Sequence, residues 1–416
     1  MGKAQVTVPL DIADVRVLRT EINEKEELII TIESTKAGTR CGKCGRQIKK
    51  AHGQDEWVTV RHLPVFGRPT YLRYRPKRYQ CLDCEGQPTT SQALEWRDTN
   101  SMHSVVYDEH ILKQLVNSTI EDVSVKEQLG YDSVLGVLER RIRVEVDWSQ
   151  YCELGVVGLD EIALKKGHRD YVTIVTARLA GERVVILGVL EGREKDTVVG
   201  FLRSIPAGLL ETIHTACCDL WEGYTEALRE EVPGAKIVID RFHIAKHYRE
   251  AADRVRKQEL ARLKSERSKE EYELLKGCLW AFRKGPENLN PEEHQVLQRF
   301  FSYSPDAQRA YDLREQLTAI FEQSIPKQKA KTKIRNWIRQ VRSSGLTCFN
   351  DFLKLLEQWL EEITNYFINR ESSGFVEGFN NRIKVLKRRC YGLFNRKHIF
   401  QRIYLDLEGY RLFAGC

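Results

Sequence analysis

The stretch LGVVGLD at residues 154–160 decides the fold, because it is a short apolar run that ends in an acid. A second stretch of the same kind, IHTACCD, occupies residues 213–219. Continuous apolar runs of this length predict strands buried in the core of a sheet. We therefore expect two core strands, with Asp160 and Asp219 where the strands leave the core. Taken singly, an Asp at a strand end is more often a helix cap or a turn residue.

The pattern around these two stretches predicts an α/β fold with a mixed sheet. We expect strands at 154–160, 170–177, 183–190, 213–219 and 236–240, and helices at about 194–205 and 221–231. Three consecutive strands, followed by alternating helix and strand, are the order of an RNase H-like sheet. In such a sheet Asp160 and Asp219 would meet at the carboxyl edge, where open α/β sheets place their ligands.

A third carboxylate lies in the C-terminal part of the chain. Glu377 is the only acid in residues 377–404, which carry eight Lys or Arg. An apolar stripe at helical spacing predicts that the segment begins with a helix. On its own, this helix is more simply interpreted as solvated and amphipathic, with its one acid paired to an arginine. Together with Asp160 and Asp219, however, Glu377 completes three oxygen ligands for Mg²⁺ or Mn²⁺.

Four N-terminal cysteines form two Cys-x-x-Cys pairs. Cys41 and Cys44 are separated by 36 residues from Cys81 and Cys84. Four thiolates in two such pairs suit one tetrahedral Zn²⁺, and the β-rich segment between them predicts a zinc ribbon with an extended hairpin. A redox-active motif would need only one pair, in a βαβ context. The N-terminus has no export signal, so we expect no disulfides among the eleven cysteines.

Between the cysteine pairs and the sheet the pattern turns helical. A helix before Gly130 and a second at Ser133 to Val144 predict a helix-turn-helix, whose second helix would enter the major groove of DNA. Any small αα-hairpin has a similar pattern. We expect Arg140, Arg141 and Arg143 of the second helix to contact DNA.

Residues 244–369 are almost wholly helical and highly charged, which is too long for a loop and predicts an inserted domain. The helices expected there are Arg254 to Leu263, Glu270 to Arg283, Glu292 to Phe301, Ala307 to Gln323 and Phe349 to Phe367. The predicted organisation is a β-rich zinc-binding domain at 1–95, a helix-turn-helix at 104–148, the first part of an RNase H-like core at 150–245, an all-α insertion at 246–368, and the C-terminal helix and tail of the core at 369–416.

Charge and hydropathy narrow the class of protein. The net charge is +7, and residues 36–84 carry twelve Lys or Arg against three acids. Basic regions near both ends suggest a polyanionic partner, with ordinary solubility charge as the alternative. We find no apolar stretch of membrane-spanning length, and so expect a cytoplasmic protein without a membrane partner.

Several further motifs occur together. They are GLDE at 158–161, CD at 218–219, DRFH at 240–243, and GFVEGFNNRIK at 374–384 with its continuation KRRCYG at 387–392. With the two cysteine pairs, these motifs resemble the ISL3 family of bacterial insertion-sequence DDE transposases, from the zinc module to the end of the chain. Where the family usually has Ser-Asn-Gly, residues 372–374 read Ser-Ser-Gly, a change outside the three acids.

The resemblance implies a DNA transposase that binds the terminal inverted repeats of its insertion sequence, cleaves DNA and transfers the strand. Asp160, Asp219 and Glu377 match the family's metal-binding acids, which would hold two Mg²⁺ or Mn²⁺ ions. His243 matches an Asp-x-x-His element whose role would be to position a phosphate or a water. As a single His after a strand, it is equally well interpreted as a structural hydrogen-bonding group.

The basic C-terminal helix and the partners follow from the same resemblance. Lys384, Lys387, Arg388 and Arg389 would bind DNA phosphates, contacts that position DNA without specifying its sequence, and Asn381 would also contact DNA. The expected partner is double-stranded DNA, both the terminal repeats and the target. Two element ends must be held together, so we expect a homodimer or a larger assembly, associated with the nucleoid.

Two other classes of protein fit part of the pattern. A non-catalytic zinc-finger and helix-turn-helix regulator would bind DNA, but it has no need for acids at two strand ends and in a basic helix. An RNase H-like nuclease, such as a junction resolvase, would use the acids but not the zinc module or the long insertion. Metal-dependent nicking separates the first class from a transposase, and strand-transfer products separate the second.

Overall fold

The chain forms two units. The structure is a computed structural model that describes residues 9–163, 171–371, 374–389 and 395–413; for residues 374–380 and 387 it describes the backbone alone. One unit comprises Met1–Arg143 with Tyr404–Cys416, and the other comprises Val144–Ile403. None of the described helices is both long enough and apolar enough to cross a membrane.

Nine strands open the first unit. They are β1 (Val15–Ile22), β2 (Leu28–Ser34), β3 (Thr39–Arg40), β4 (Gln47–Ile48), β5 (Lys50–Gln54), β6 (Val58–Val65), β7 (Arg68–Tyr74), β8 (Lys77–Gln80) and β9 (Thr89–Ser91). They form a sheet in the order β1-β2-β7-β6, a small hairpin β3-β4, and a sheet β5-β8-β9. The β6–β7 hairpin turns at Phe66 and Gly67, both with positive φ, as two-residue hairpins require. The expected hairpin between the cysteine pairs is therefore confirmed.

Three helices complete the N-terminal part of this unit: α1 (Val105–Leu115), α2 (Ile120–Glu127) and α3 (Tyr131–Arg141). The α2–α3 pair confirms two helices around a short turn. The turn residue in the left-handed region is Gln128, with φ 53°, whereas Gly130 is extended and begins α3. The predicted glycine break was therefore placed two residues too late, because the glycine supplies the N-cap of α3 and Gln128 turns the chain.

The mixed sheet of the second unit contains β10 (Gly155–Ala163), β11 (Tyr171–Arg178), β12 (Val184–Glu191), β13 (Ile213–Cys218) and β14 (Lys236–Ile239), with α4 (Lys195–Ser204), α5 (Ala207–Leu210) and α6 (Glu222–Glu231) between strands. Its order is β12-β11-β10-β13-β14. The first three strands in the sequence pair antiparallel, and β13 and β14 extend β10 in parallel. The predicted strands and helices are all present, each shifted by at most three residues. The sheet is central because its strands carry apolar side chains on both faces.

Helices occupy the chain after the sheet: α7 (Arg241–Glu266), α8 (Lys269–Glu273), α9 (Cys278–Arg283), α10 (Pro291–Tyr303), α11 (Pro305–Glu322), α12 (Lys327–Ser343), α13 (Asn350–Gln358), α14 (Leu360–Asn369), α15 (Gly374–Arg389) and α16 (Arg396–Phe413). Two predicted helices are each divided in two, one before Gly277, which has φ 89°, and one at Trp359. The sequence pattern missed α12, because its seven Lys and Arg obscure an apolar stripe that is buried.

The last helix contributes to both units. Residues up to Ile403 belong to the second unit, and Tyr404–Phe413 belong to the first. Leu405 is fully buried in the hydrophobic cluster that α1, α2 and α3 form. The backbone N–H of Asn117 donates to Asp406 Oδ1 at 3.0 Å. The helical core of the first unit therefore contains residues from both ends of the chain.

Candidate metal centres

Three neighbouring parallel strands present an acid at the same level of the sheet. Leu159 of β10 is paired with Cys218 of β13, and Cys218 with Ile239 of β14. The next residues in the three strands are Asp160, Asp219 and Asp240. Since the strands are parallel, these acids share one edge, as expected for the first two. The sequence did not predict that Asp240 would be a third acid at this edge of the sheet.

The third residue that meets the two aspartates is a histidine. Asp240 accepts a hydrogen bond from the backbone N–H of Phe242 at 2.9 Å and so caps α7. This cap places His243 in the first turn of α7, with Nε2 3.0 Å from Asp219 Oδ1. One ligand atom each of Asp160, Asp219 and His243 lies within 4.8 Å of the others. The interpretation of Asp160 as only a turn residue is wrong, since its carboxylate is part of a side-chain cluster.

Burial and like charge make this cluster a site for a cation. Burial, reinforced by the charge of Asp219, raises the pKa of Asp160 to about 8. Burial by itself would lower the pKa of His243, but the hydrogen bond to Asp219 and the surrounding carboxylates raise it above its ordinary value. Two half-buried carboxylates that repel one another are stabilised by a hard divalent cation, and their oxygens fit Mg²⁺ or Mn²⁺.

We predict that Asp160→Asn stabilises the protein when no divalent cation is present. Because the pKa of Asp160 is about 8 in the fold against an ordinary 3.8, the folded chain binds the extra proton and its stability falls as pH rises between these values. The amide of the Asp160→Asn variant carries no charge, so the variant does not lose stability as the pH rises. Its Tm should therefore exceed that of the parent protein by a few degrees at pH 8 or above and equal it near pH 4.

Melting curves with and without Mg²⁺ check this prediction, with Glu211→Gln as the control because Glu211 is an exposed acid of the same unit. The added cation should raise the Tm of the parent protein and have little effect on the Asp160→Asn variant. A variant that melts below the parent at pH 8 would contradict the like-charge account of the cluster.

The third predicted acid lies on a helix beside the same strand. Glu377 is in the first turn of α15, which packs next to β10. Its side chain lies outside the described part of the structure, as does that of Lys387. Just before this helix, Glu371 forms an ion pair with Arg178 of β11. That Glu377 completes the metal ligands stays a prediction.

Two residues beside the cluster were not anticipated from the sequence. Arg193 Nη1 lies 2.8 Å from Glu161 Oε2, and its guanidinium lies 3.9 Å from the centre of the Trp221 ring. Trp221 Nε1 donates to the carbonyl of Arg193 at 3.0 Å. These contacts fix the Arg193 guanidinium between Glu161, the residue after Asp160 in β10, and the indole of Trp221, two residues after Asp219. In the sequence, the signal for this arrangement is that Trp221 lies two residues after Asp219, an acid at a strand end.

The four N-terminal cysteines come together as predicted. Cys41 Sγ lies 4.0 Å from Cys84 Sγ, and Cys44 Sγ lies 3.9 Å from Cys81 Sγ. All four sulfurs lie within 4.8 Å of one another. Tetrahedral zinc with bonds of about 2.3 Å needs sulfurs about 3.8 Å apart, so the cluster fits one structural Zn²⁺.

The backbone around this cluster favours a thiolate. The β3–β4 hairpin turns back through Gly45, with φ 71°, so that N–H groups point at the first sulfur. Backbone hydrogen bonds from Cys44 and Lys43 lower the pKa of Cys41 to about 6. A thiolate is the form that binds zinc. The hydrogen bond with Cys44, together with burial, raises the pKa of Cys84 to about 12, so the local structure favours the thiolate at Cys41.

The arginines of α3 have contacts that the sequence did not indicate. Arg140 and Arg141 both bind Asp108, which is fully buried, and Arg141 Nε lies 3.0 Å from Asp108 Oδ2. Burial by itself would raise the pKa of Asp108, but the hydrogen bond from His103 and the two arginines hold it below its ordinary value. Arg140 and Arg141 therefore have a structural role in neutralising this carboxylate. Arg143 is exposed and forms no ion pair with any residue that the structure describes.

The polar residues of α15 lie mostly on its solvent face. Asn381, Lys384 and Arg388 are exposed, and Arg389 is half-buried. Arg388 Nε donates to the carbonyl of Lys384 at 3.4 Å. Three of the five residues predicted to bind DNA on this helix are thus accessible to a polyanion.

Two family models and several relatives match the chain. A model of the DDE group named ISL3, described as a transposase, matches residues 157–403, more than half of the chain. A model described as the zinc-finger of transposase IS204/IS1001/IS1096/IS1165 matches residues 37–84. The first range contains both aspartates, His243 and Glu377, and the second contains all four clustered cysteines.

The relatives match over most of their length. The transposase for insertion sequence element IS1001 of Bordetella parapertussis is 27% identical over 383 residues, 92% of each chain. The transposase for insertion sequence element IS1557 of Mycobacterium tuberculosis is 23% identical over 393 residues, 89% of this chain and 86% of that protein. The likeness therefore extends through the zinc cluster, the mixed sheet and the helices.

Proposed function

The chain belongs to the ISL3 family of DDE transposases, enzymes of DNA cleavage and strand transfer, and from this premise we propose that Asp160, Asp219 and Glu377 form its catalytic metal site. The observation that carries the proposal is the meeting of Asp160 and Asp219 at one sheet edge, beside the strand on which α15 packs. Buried carboxylates with a strongly shifted pKa are typical of functional sites.

Packing along one strand supports the inclusion of Glu377. Arg178, which binds Glu371, is paired in the sheet with Val156, four residues before Asp160 in β10. Glu377 follows Glu371 by six residues, and α15, in whose first turn it lies, packs against β10. A short length of chain from this anchor would bring Glu377 to the strand that carries Asp160.

The connectivity supports an RNase H-like core for this domain. Its sheet has three antiparallel strands, extended by two parallel strands on the side of the first. The helices α7 to α14 separate this sheet from α15, in agreement with the inserted all-α domain expected at 246–368. We propose the domain boundaries given by the sequence, with one adjustment: α7 runs unbroken through residue 245, so the core and the insertion share this helix.

In the proposed mechanism, bound divalent cations would activate water or a 3′-hydroxyl and stabilise the leaving oxygen. Asp160 releases its proton on cation binding, because its pKa is raised in the free protein. His243 orients the Asp219 carboxylate through its Nε2 contact. In other metal sites, residues that hydrogen-bond to a metal ligand orient it in the same way. Lys384 and Arg388 hold DNA phosphates beside the site.

We expect His243→Ala to weaken Mg²⁺ or Mn²⁺ binding by about 10- to 100-fold, since loss of a group that orients a metal ligand typically has this effect. His243→Gln should recover part of the loss, because its amide nitrogen can donate to Asp219. Titration of the cation, followed by the rise in Tm, measures this without any DNA. Equal affinity for the parent and His243→Ala proteins would assign His243 to direct contact with DNA or to a purely structural role.

Recognition of DNA ends is proposed for the first unit. The relatives are transposases for insertion sequence elements, so we propose that this chain binds the terminal inverted repeats of its own element. The α2–α3 pair would act as the helix-turn-helix, with the N-terminal residues of α3 at the base edges. Tyr131 and Ser133 are exposed there, and Arg143 is available for phosphate. Two ends must be joined, so the active form is proposed to be a dimer or larger, at the nucleoid.

Cleavage of duplexes taken from the DNA on each side of the gene tests the proposed function. With Mg²⁺, the parent protein should nick one strand at a fixed position and then join the freed 3′ end to a second duplex. A regulator would bind the same duplexes without nicking them, and a plain nuclease would nick without joining. Either result would reject the proposal.

A further inference from the structure

Helix α12 is the most basic helix of the second unit. Its 17 residues, Lys327–Ser343, include seven Lys or Arg and no acid. Its buried side chains lie on one stripe, formed by Ala330, Ile334, Trp337, Ile338 and Val341. The cations are therefore on the remaining faces, where each pairs with a neighbouring acid, donates to a neutral side chain as Lys333 does to Gln323 at 2.6 Å, or is exposed.

One edge of the helix is neutralised by its neighbour α14. Lys327 and Lys331 both form ion pairs with Glu361. The two lysines lower the pKa of Glu361 to about 2, so this acid is ionised at every relevant pH. These two cations are explained by packing and need no external partner.

A second set of cations lines an open groove. Arg335, Arg339 and Arg342, at helical positions i, i+4 and i+7, line a groove of ≈ 530 Å³ together with Ile338 and Leu360. Its single acid, Glu357, forms an ion pair with Arg342 at 2.8 Å. Among the residues that the structure describes, no carboxylate forms an ion pair with Arg335 or Arg339. The groove therefore carries two uncompensated guanidinium groups.

We propose that this arginine groove binds the phosphate backbone of duplex DNA. Seven residues of helix span about 10.5 Å, a length of duplex axis over which one strand carries about three phosphates. Arginine suits this partner because its planar fork can donate two hydrogen bonds to one phosphate. The proposal rests on the proposed function, in which DNA is the substrate, and gives the helical insertion a part in holding it.

The test replaces both uncompensated arginines in the full-length protein with bound zinc. The double variant Arg335→Gln with Arg339→Gln keeps a polar, unbranched side chain at each position and removes two charges. The control is Arg203→Gln with Arg309→Gln, because these arginines are equally exposed but already bind acids. The control has the same net charge as the test variant, and melting curves verify that both are folded.

Affinity for a labelled random-sequence duplex is measured at several NaCl concentrations without Mg²⁺. Each lost phosphate contact lowers the slope of log affinity against log salt by about 0.9, so the double variant should lose about 1.8. Between about 50 and 200 mM NaCl, the parent should then lose about tenfold more affinity than the variant. The control should keep the slope of the parent.

If the salt slope of the double variant equals that of the control, the proposal is overturned. An acidic protein segment would then be the better candidate for the ligand of the groove. Weaker binding with an unchanged slope would overturn it too, since the contact would not be to phosphate. Cleavage by the parent protein, measured in parallel with Mg²⁺, separates the two proposals. If the double variant has a reduced salt slope but the parent protein does not cleave DNA, the groove proposal stands and the catalytic-site proposal is rejected. If the slope is unchanged and the parent protein cleaves normally, only the groove proposal is rejected.

Discussion

Glu377→Gln is expected to cleave element-end DNA at least a thousandfold more slowly than the parent protein while it binds the same DNA equally well. A metal ion that stabilises charge in the transition state contributes several kcal/mol, and each 1.36 kcal/mol is about a factor of ten in rate. The amide keeps the size of the side chain but supplies a neutral oxygen. Single-turnover cleavage of a labelled duplex gives the rate, and anisotropy gives the affinity.

The same result is expected for Asp160→Asn and Asp219→Asn, because the three carboxylates act as one unit and their effects are not additive. Glu211→Gln serves again as the exposed control and should cleave at the parental rate. Near-normal strand transfer by any of the three variants would reject the triad. Loss of both binding and cleavage by Glu377→Gln would indicate that α15 had unfolded, which its melting curve would reveal.

Cys81→Ser should abolish zinc binding and, with it, recognition of the element ends. The Cys81 side chain is fully buried, and its sulfur is one of four in the cluster. Structural zinc contributes about 10–16 kcal/mol in small zinc domains, which is comparable with the whole net stability of a region of this size. Metal analysis should therefore fall from one zinc per chain to none, and affinity for the ends should fall at least tenfold.

Cys152→Ser provides the matched control, because Cys152 is an exposed free cysteine outside the cluster. It should keep one zinc and parental affinity. The two variants also separate the functions of the two units: Cys81→Ser should retain the Tm increase that Mg²⁺ produces at the aspartates. A Cys81→Ser protein that still holds one zinc with full affinity would show that a different set of ligands is used.

The mixed sheet was predictable because buried strands leave a strong signal. Each core strand is a continuous apolar run between turns, and the runs ending at Asp160 and Asp219 needed no knowledge of their neighbours. The cysteine cluster was predictable for a similar reason, since spacing within each pair is set by local hairpin geometry. In both cases the residues that define the site are adjacent in sequence to those that define the fold.

Contacts between distant side chains were much less predictable. Arg140 and Arg141 have the composition of a DNA-binding helix, and only the fold reveals the buried carboxylate of Asp108 that they neutralise. Helix α12 poses the same difficulty: Lys327 and Lys331 pair with an acid, whereas Arg335 and Arg339 form no ion pair with any residue that the structure describes. The meeting of His243 with Asp219 also depends on the cap at Asp240, which sets where α7 begins. Glu377 was recognised from its sequence context, and its role is for mutagenesis to decide.

The contribution of Leu405 to the helical core around α1 and α3 has a consequence for biosynthesis. A ribosome completes the mixed sheet and helices α7 to α14 before it reads the codons of α16, while α1 to α3 wait for the partner residue that α16 supplies. The nascent protein thus completes the core around α1 to α3 only after the sheet. A chain that stops before Leu405 should therefore be impaired in a region encoded nearly three hundred codons upstream.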